Sequence, residues 1–282
     1  MRVSVASGKG GTGKTTVALM LAAGAEQATL IDCDVEEPNC HLFAKPDCVT
    51  AETVAVQIPD IIAERCDGCG DCAKGCRFSA LVVAGGKAML FPELCHSCGG
   101  CRLTCTRQAI REMPRRIGII EQGTGTEEYQ RVRWIAGKLD PGLPAGGPLI
   151  KALKAKAPAT GNVVLDCPPG TSCSMALAVY DSDVCLLVTE PNAFGYHDLV
   201  LAMAVLAEIG QDRYGVVINK SDPGPWQDRL RALCQERDIP LLAEIPYSRE
   251  WAAAYAGGRL PVQAIVQGRM IWREVQRTWP SR

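Results

Sequence analysis

Neither sign of charge dominates this chain. Lysine and arginine number 30 against 31 aspartates and glutamates in 282 residues, so no global field favours nucleic acid or an anionic membrane surface. No apolar run approaches the roughly 20 residues needed to cross a bilayer, and no charged-then-apolar leader is present. A glycine-rich stretch begins at Gly8, which leaves no room for a signal peptide, and the cytoplasm is the expected compartment. Fifteen cysteines would contradict that expectation if they formed disulfides. In a reducing compartment a thiol count this high points to metal binding instead. The length suits one large domain or two modest ones.

The stretch Gly8-Lys9-Gly10-Gly11-Thr12-Gly13-Lys14-Thr15-Thr16 follows a short apolar run, Arg2 to Ala6, and precedes an alanine- and leucine-rich segment, Val17 to Ala25. Strand, glycine loop and helix are the context a phosphate-binding loop requires. Glycines let successive N–H groups turn toward one phosphate chain, and the helix N-terminus adds roughly half a positive charge. Lys14 is placed to reach the β- and γ-phosphates and the Thr15 hydroxyl to ligate Mg²⁺. Gly8, Gly10 and Gly13, with Asp32 downstream, also satisfy a dinucleotide pattern. That pattern has no need of Lys-Thr at the mouth of the helix, so the phosphate loop is the preferred reading.

Lys-Gly-Gly-Thr-Gly-Lys-Thr, with Lys9 directly after the first glycine, resembles the deviant phosphate loop of the MinD, ParA and Mrp ATPases and the nitrogenase iron protein. The resemblance implies ATP and ADP as ligands and a nucleotide-dependent homodimer or paralogue heterodimer in which Lys9 reaches the partner's nucleotide. Asp32-Cys33-Asp34-Val35-Glu36-Glu37-Pro38-Asn39 resembles that family's first switch. By this likeness Asp34 helps place the attacking water and Asp32 lies near Mg²⁺, while Glu36 and Glu37 read as solvated charges. Val163-Val164-Leu165-Asp166-Cys167-Pro168-Pro169-Gly170 is a buried strand ending in aspartate, as a Walker B element requires. Asp166 is the expected Mg²⁺-linked carboxylate, and the glycine after it resembles a second switch. Val217-Ile218-Asn219-Lys220 is similar to the family's base-contacting segment, and Glu244-Ile245-Pro246-Tyr247 to its loop over the base. Asn219 and Pro246 are therefore the expected adenine contacts.

Eight of the cysteines fall in two runs, Cys66-x2-Cys69-x2-Cys72-x3-Cys76 and Cys95-x2-Cys98-x2-Cys101-x3-Cys105. Three thiolates at spacing three plus a fourth suit a four-iron cubane, whereas zinc sites more often use separated Cys-x2-Cys pairs. The doubled run resembles bacterial two-cluster ferredoxins, although Arg77 and Thr106 stand where those place proline. The likeness implies two [4Fe–4S] clusters with crossed ligands: Cys66, Cys69, Cys72 and Cys105 on one, Cys95, Cys98, Cys101 and Cys76 on the other. His96, inside the second run, reads as a surface residue and His197 as a helix-start residue. Cys33, Cys167 and Cys173 read as small buried residues, with a bridging role for Cys167 or Cys173 across a dimer as the sharper alternative.

Alternating strands and helices predict an α/β fold with a doubly wound, mainly parallel P-loop NTPase sheet. Its expected parts are residues 1–58 and 113–282, with a small ferredoxin-like domain inserted at 59–112. The tail from Gly268 to Trp279 is basic and amphipathic; packing on the sheet is favoured over docking on a membrane. Hydrolysis of ATP coupled to electron transfer is the leading functional reading, with an unidentified redox or client protein as partner. A metallocofactor or iron–sulfur assembly ATPase and a positioning switch with redox-sensing clusters are the alternatives. No nucleic-acid partner is expected.

Overall fold

The computed structural model describes residues 1–143 and 146–280. In chain order the elements are β1 (Arg2–Ala6), α1 (Lys14–Gly24), β2 (Ala28–Asp32), α2 (His41–Ala44), β3 (Asp47–Ile61), α3 (Asp71–Lys74), β4 (Leu81–Ala84), β5 (Lys87–Leu90) and α4 (Gly100–Thr104). They continue with β6 (Ile110–Thr124), β7 (Val132–Leu139), α5 (Gly147–Ala155), β8 (Asn162–Asp166), α6 (Cys173–Val179), β9 (Val184–Thr189) and α7 (Ala193–Glu208). The last are β10 (Tyr214–Ser221), α8 (Pro225–Glu236), β11 (Leu241–Pro246), α9 (Arg249–Ala256) and α10 (Val262–Thr278).

Nine strands form one sheet in the order β11-β10-β9-β1-β8-β2-β7-β6-β3. From β11 through β7 every neighbouring pair is parallel. The central strands are short apolar runs without alternation, and β2 and β9 are buried at every residue. Helices on both faces require that of a parallel sheet. Six of these strands therefore end along one edge, at Ala6, Asp32, Asp166, Thr189, Ser221 and Pro246, where ligands bind in such folds.

The chain divides into two compact units. Unit 1 comprises Met1–Ala51, Ile120–Lys138 and Ile150–Arg282, and unit 2 comprises Glu52–Ile119 and Leu139–Leu149. Unit 2 is wider than the 59–112 segment expected from composition. The strands β3 and β6 are fifteen residues each and contribute to both units, so the change in composition at the cysteines does not coincide with a structural boundary. Within unit 2, β4 and β5 form an antiparallel hairpin.

Helix α1 is buried from Val17 through Ala22, having the sheet on one side and α10 on another. Its sequence is correspondingly apolar around its circumference. The apolar face of α10, including Ile271, Trp272 and Val275, is buried in the core. Packing thus uses the face that a membrane contact would have needed. Contact between the two helices is set by glycine: a Cβ on Gly268 would overlap the Met20 carbonyl. Gly268→Ala is expected to destabilise the protein by about 1–3 kcal/mol through overpacking, visible as a lowered urea midpoint at unchanged slope.

Candidate functional site

The register of the sheet brings the acids together. Asp32 and Asp166 are direct partners on the neighbouring parallel strands β2 and β8, and both are fully buried. Gly13 precedes α1 at φ 89°, a left-handed turn that delivers Lys14 and Thr15 to the same place. Lys14 Nζ lies 2.8 Å from Asp166 Oδ1, and the Thr15 hydroxyl donates to Asp166 Oδ2 at 2.8 Å. Asp32 accepts N–H bonds from Asp34, Asn39 and Cys40, which folds the loop after β2 back over its own strand.

Burial works against the charge of each group here, and neighbours decide the outcome. Burial alone would lower the pKa of Lys14, but the Asp166 carboxylate outweighs it and raises the value. Asp32 is raised by burial and then by the charge of Asp166, with N–H bonds and Lys14 opposing. Asp34 is pushed up to about 6 by burial, partly offset by Lys14 and reinforced by Asp166. Two carboxylates and a hydroxyl offer the hard oxygen donors that Mg²⁺ takes, so Thr15, Asp32 and Asp166 fit that ion.

Above these groups opens a cleft of about 500 Å³. Lys9, Gly10, Gly11, Gly13, Lys14, Thr15, Thr16, Asp34, Asn219 and Pro246 all line it. Gly8 and Thr12 belong to the same loop without lining the cleft. Sequence reasoning missed Trp251 and Tyr255, which line it with Tyr247, and it missed Glu37. An aromatic at helical spacing carries no local mark of facing a ligand. Asn219 is committed to the loop itself: its side-chain N–H donates to the Thr12 carbonyl at 2.8 Å, in the space a Cβ on Gly13 would occupy.

Lys9 lies 3.9 Å from the Glu190 carboxylate and over the Phe194 ring, 5.7 Å from its centroid. Glu190 also pairs with Lys220 at 2.5 Å, and Lys220 donates to the Gly11 carbonyl at 2.9 Å. In the loop after β8 the Gly170 N–H donates to the Ser7 carbonyl at 3.0 Å. Cys33 and Cys167 are fully buried, with thiols pushed up by burial, whereas Cys173 is exposed at the start of α6. Burial leaves Cys167 no route to a second copy. His197 is exposed near the start of α7, 3.3 Å from its neighbour Asp198.

In unit 2 the eight cysteines line two separate small cavities. Cys66, Cys69, Cys72 and Cys105 surround one, and Cys76, Cys95, Cys98 and Cys101 surround the other. Each set takes three thiols from one run and one from the other. Backbone N–H groups of Ala88, Ser97 and Ala109 point at the sulfurs of Cys66, Cys95 and Cys105. The Ala88 and Gly68 N–H groups hold the Cys66 thiol below its usual value, while burial pushes Cys101 up to about 11. Four thiols per cavity with N–H donors to sulfur fit a cysteine-ligated iron–sulfur cluster in donor type and number. His96 stacks on Phe78 with ring centroids 3.8 Å apart, beside the second cavity.

The comparisons with known proteins agree on a nucleotide-binding domain. A family model described as the CobQ/CobB/MinD/ParA nucleotide binding domain matches residues 3–262. The uncharacterized protein MJ0578 of Methanocaldococcus jannaschii is 31% identical over 226 residues, 78% of each chain. The cell division ATPase MinD of Pyrococcus furiosus is similar at a TM-score of 0.57 and 18% identity over 98% of each chain. The septum site-determining protein MinD of Pyrococcus horikoshii, complexed with Mg-ADP, has a TM-score of 0.54 and 20% identity over 99% of this chain and 95% of that one. A phosphate loop set against paired strand-end aspartates, under a family match over nearly the whole length, makes this chain a member of the CobQ/CobB/MinD/ParA nucleotide-binding family.

Proposed function

We propose that the chain is an ATP-hydrolysing switch whose nucleotide state governs electron flow through two [4Fe–4S] clusters held in unit 2. The observation that carries the second half is the sorting of eight cysteines into two four-thiol cavities with crossed membership. Bound clusters supply one-electron transfer, and each complete set of four thiolates leaves no iron open for substrate.

At the nucleotide, Lys14 and the loop amides from Gly8 to Thr16 hold the β- and γ-phosphates and neutralise charge on the transferring group. Thr15, Asp32 and Asp166 hold Mg²⁺, and Asp34 orients the water. Its raised pKa suits a group that accepts a proton near neutrality. Asn219 and Pro246 flank the base. Lys9 leaves Glu190 and reaches the nucleotide of a second copy, so hydrolysis follows dimerisation. The segments after Asp32 and Asp166 are the two-state elements, ordered by the γ-phosphate and released on hydrolysis.

The test is anaerobic: reduced protein is mixed with a one-electron acceptor in the presence of ATP, ADP or no nucleotide. ATP is expected to change the oxidation rate severalfold relative to ADP, and equal rates in all three would refute the coupling. A second reading, a positioning switch with redox-sensing clusters, draws on the likeness to a septum site-determining protein. It requires ATP-dependent pelleting with vesicles or DNA, which electron gating does not.

A further inference from the structure

The hairpin of unit 2 turns against the loop that carries the first cysteine run. Gly85 and Gly86 have positive φ, 57° and 72°, the two-residue turn that suits the twist of paired strands, and Ala84 and Lys87 pair across it. The turn lies tight on the loop after Cys66: a Cβ on Gly68 would overlap the Gly86 carbonyl. That contact fixes the residues that follow the turn. Lys87 Nζ donates to the Ala63 carbonyl at 2.8 Å and to the Cys66 carbonyl at 2.5 Å. The next N–H, that of Ala88, points at Cys66 Sγ at 3.4 Å. Although the Lys87 side chain is at the surface, two acceptors hold its ammonium at a cysteine of the first four-thiol cavity.

The second cavity is supplied differently. Its run leads into β6 rather than into a hairpin. Arg115 is the cation there, and it donates to the carbonyl of Pro92, three residues before Cys95, rather than to a cysteine. Backbone N–H groups reach sulfur in both sets, so they do not separate the two; the ammonium does. A positive charge fixed beside a cluster stabilises the added electron and raises the reduction potential. We propose that Lys87 makes the two clusters unequal, holding the one on Cys66, Cys69, Cys72 and Cys105 at the higher potential. An electron from an external one-electron donor therefore settles on that cluster. Transfer from the second cluster oxidises it by one electron and reduces the first by one, with no bond made or broken. The inference rests on the reading of unit 2 as the holder of two [4Fe–4S] clusters and gives electron flow a direction. Lys87 acts through the Cys66 peptide, not on sulfur, and so is a positioning residue.

The test is a potentiometric titration of the full chain with dithionite, followed anaerobically by electron paramagnetic resonance. Wild type, Lys87→Met, Lys87→Arg and Arg115→Met are compared at matched iron content. Wild type is expected to reduce in two resolved one-electron steps. Lys87→Met should keep its iron and lower the upper step by about 59 mV, tenfold in a one-electron equilibrium, with the lower step unmoved. Lys87→Arg retains the charge and should hold the upper step in place, as should Arg115→Met. A single wild-type step, an upper step indifferent to Lys87→Met, or an equal fall of both steps overturns the proposal. Loss of half the iron in Lys87→Met would make the residue a clamp on its loop and overturns it too. Should Lys87→Met not fold, Lys87→Gln, which keeps an N–H donor without the charge, carries the same comparison. A wild-type chain without iron–sulfur clusters defeats the reading of unit 2 itself, a result iron analysis returns before any potential is measured.

Discussion

Lys14→Met is expected to lower ATP turnover roughly 100- to 1,000-fold and to destabilise the nucleotide-free protein by about 3–5 kcal/mol. Both effects come from one geometry. Lys14 Nζ is 2.8 Å from Asp166 Oδ1 in a place where neither side chain is more than 7% exposed. Among the described residues it is the cation that holds a buried charge against Asp166, whose strand neighbour Asp32 is buried too. Without it the two carboxylates keep only the donors of Thr15, Cys40 and the loop N–H groups. The double variant Lys14→Met with Asp166→Asn separates the two roles, because it removes the unpaired carboxylate along with its partner. Urea unfolding should show most of the stability restored in the double variant, while phosphate release stays lost. Turnover of Lys14→Met within tenfold of the parent would rule out the proposed phosphate contact.

The second large effect concerns the cysteines that end each run. Cys105 lines the cavity of the first run and Cys76 that of the second. Cys105→Ala should therefore remove the same cluster as Cys66→Ala, and Cys76→Ala the same cluster as Cys95→Ala. In each case anaerobically purified protein should fall from about eight irons per chain to about four. The remaining signal in electron paramagnetic resonance should match within each pair and differ between pairs. Were each run instead to hold its own cluster, Cys76→Ala would match Cys66→Ala, and the crossed assignment would be abandoned.

Both of these sites carry a signature of residues close together in sequence, which is why their chemistry is legible from the order of amino acids. Gly8 to Thr16 form one continuous loop, and its chemistry depends on backbone turns that glycine and a neighbouring lysine specify locally. The cysteine runs announce themselves by spacing. What the order of residues hides depends on where distant segments meet. Cys40 has no patterned neighbours, and its position at Asp166 follows from the N–H bonds that return the loop to Asp32. Trp251 and Tyr255 reach the cleft only because β11 pairs with β10, the strand carrying Asn219. Nothing local to Glu190 marks it as the carboxylate that holds both Lys9 and Lys220. The limits of the cysteine-bearing unit differ from expectation for a related reason: composition marks where thiols lie, whereas β3 and β6 extend beyond them on either side.

The brace formed by Lys220 on the Gly11 carbonyl and Asn219 on the Thr12 carbonyl bears on how a ligand is captured. A glycine-rich segment left free would lose considerable backbone entropy on wrapping a phosphate chain. Here that ordering is completed during folding, by side chains from a strand more than two hundred residues away in sequence. The cradle meets its ligand already shaped, so capture resembles a key entering a cut lock more than a hand closing.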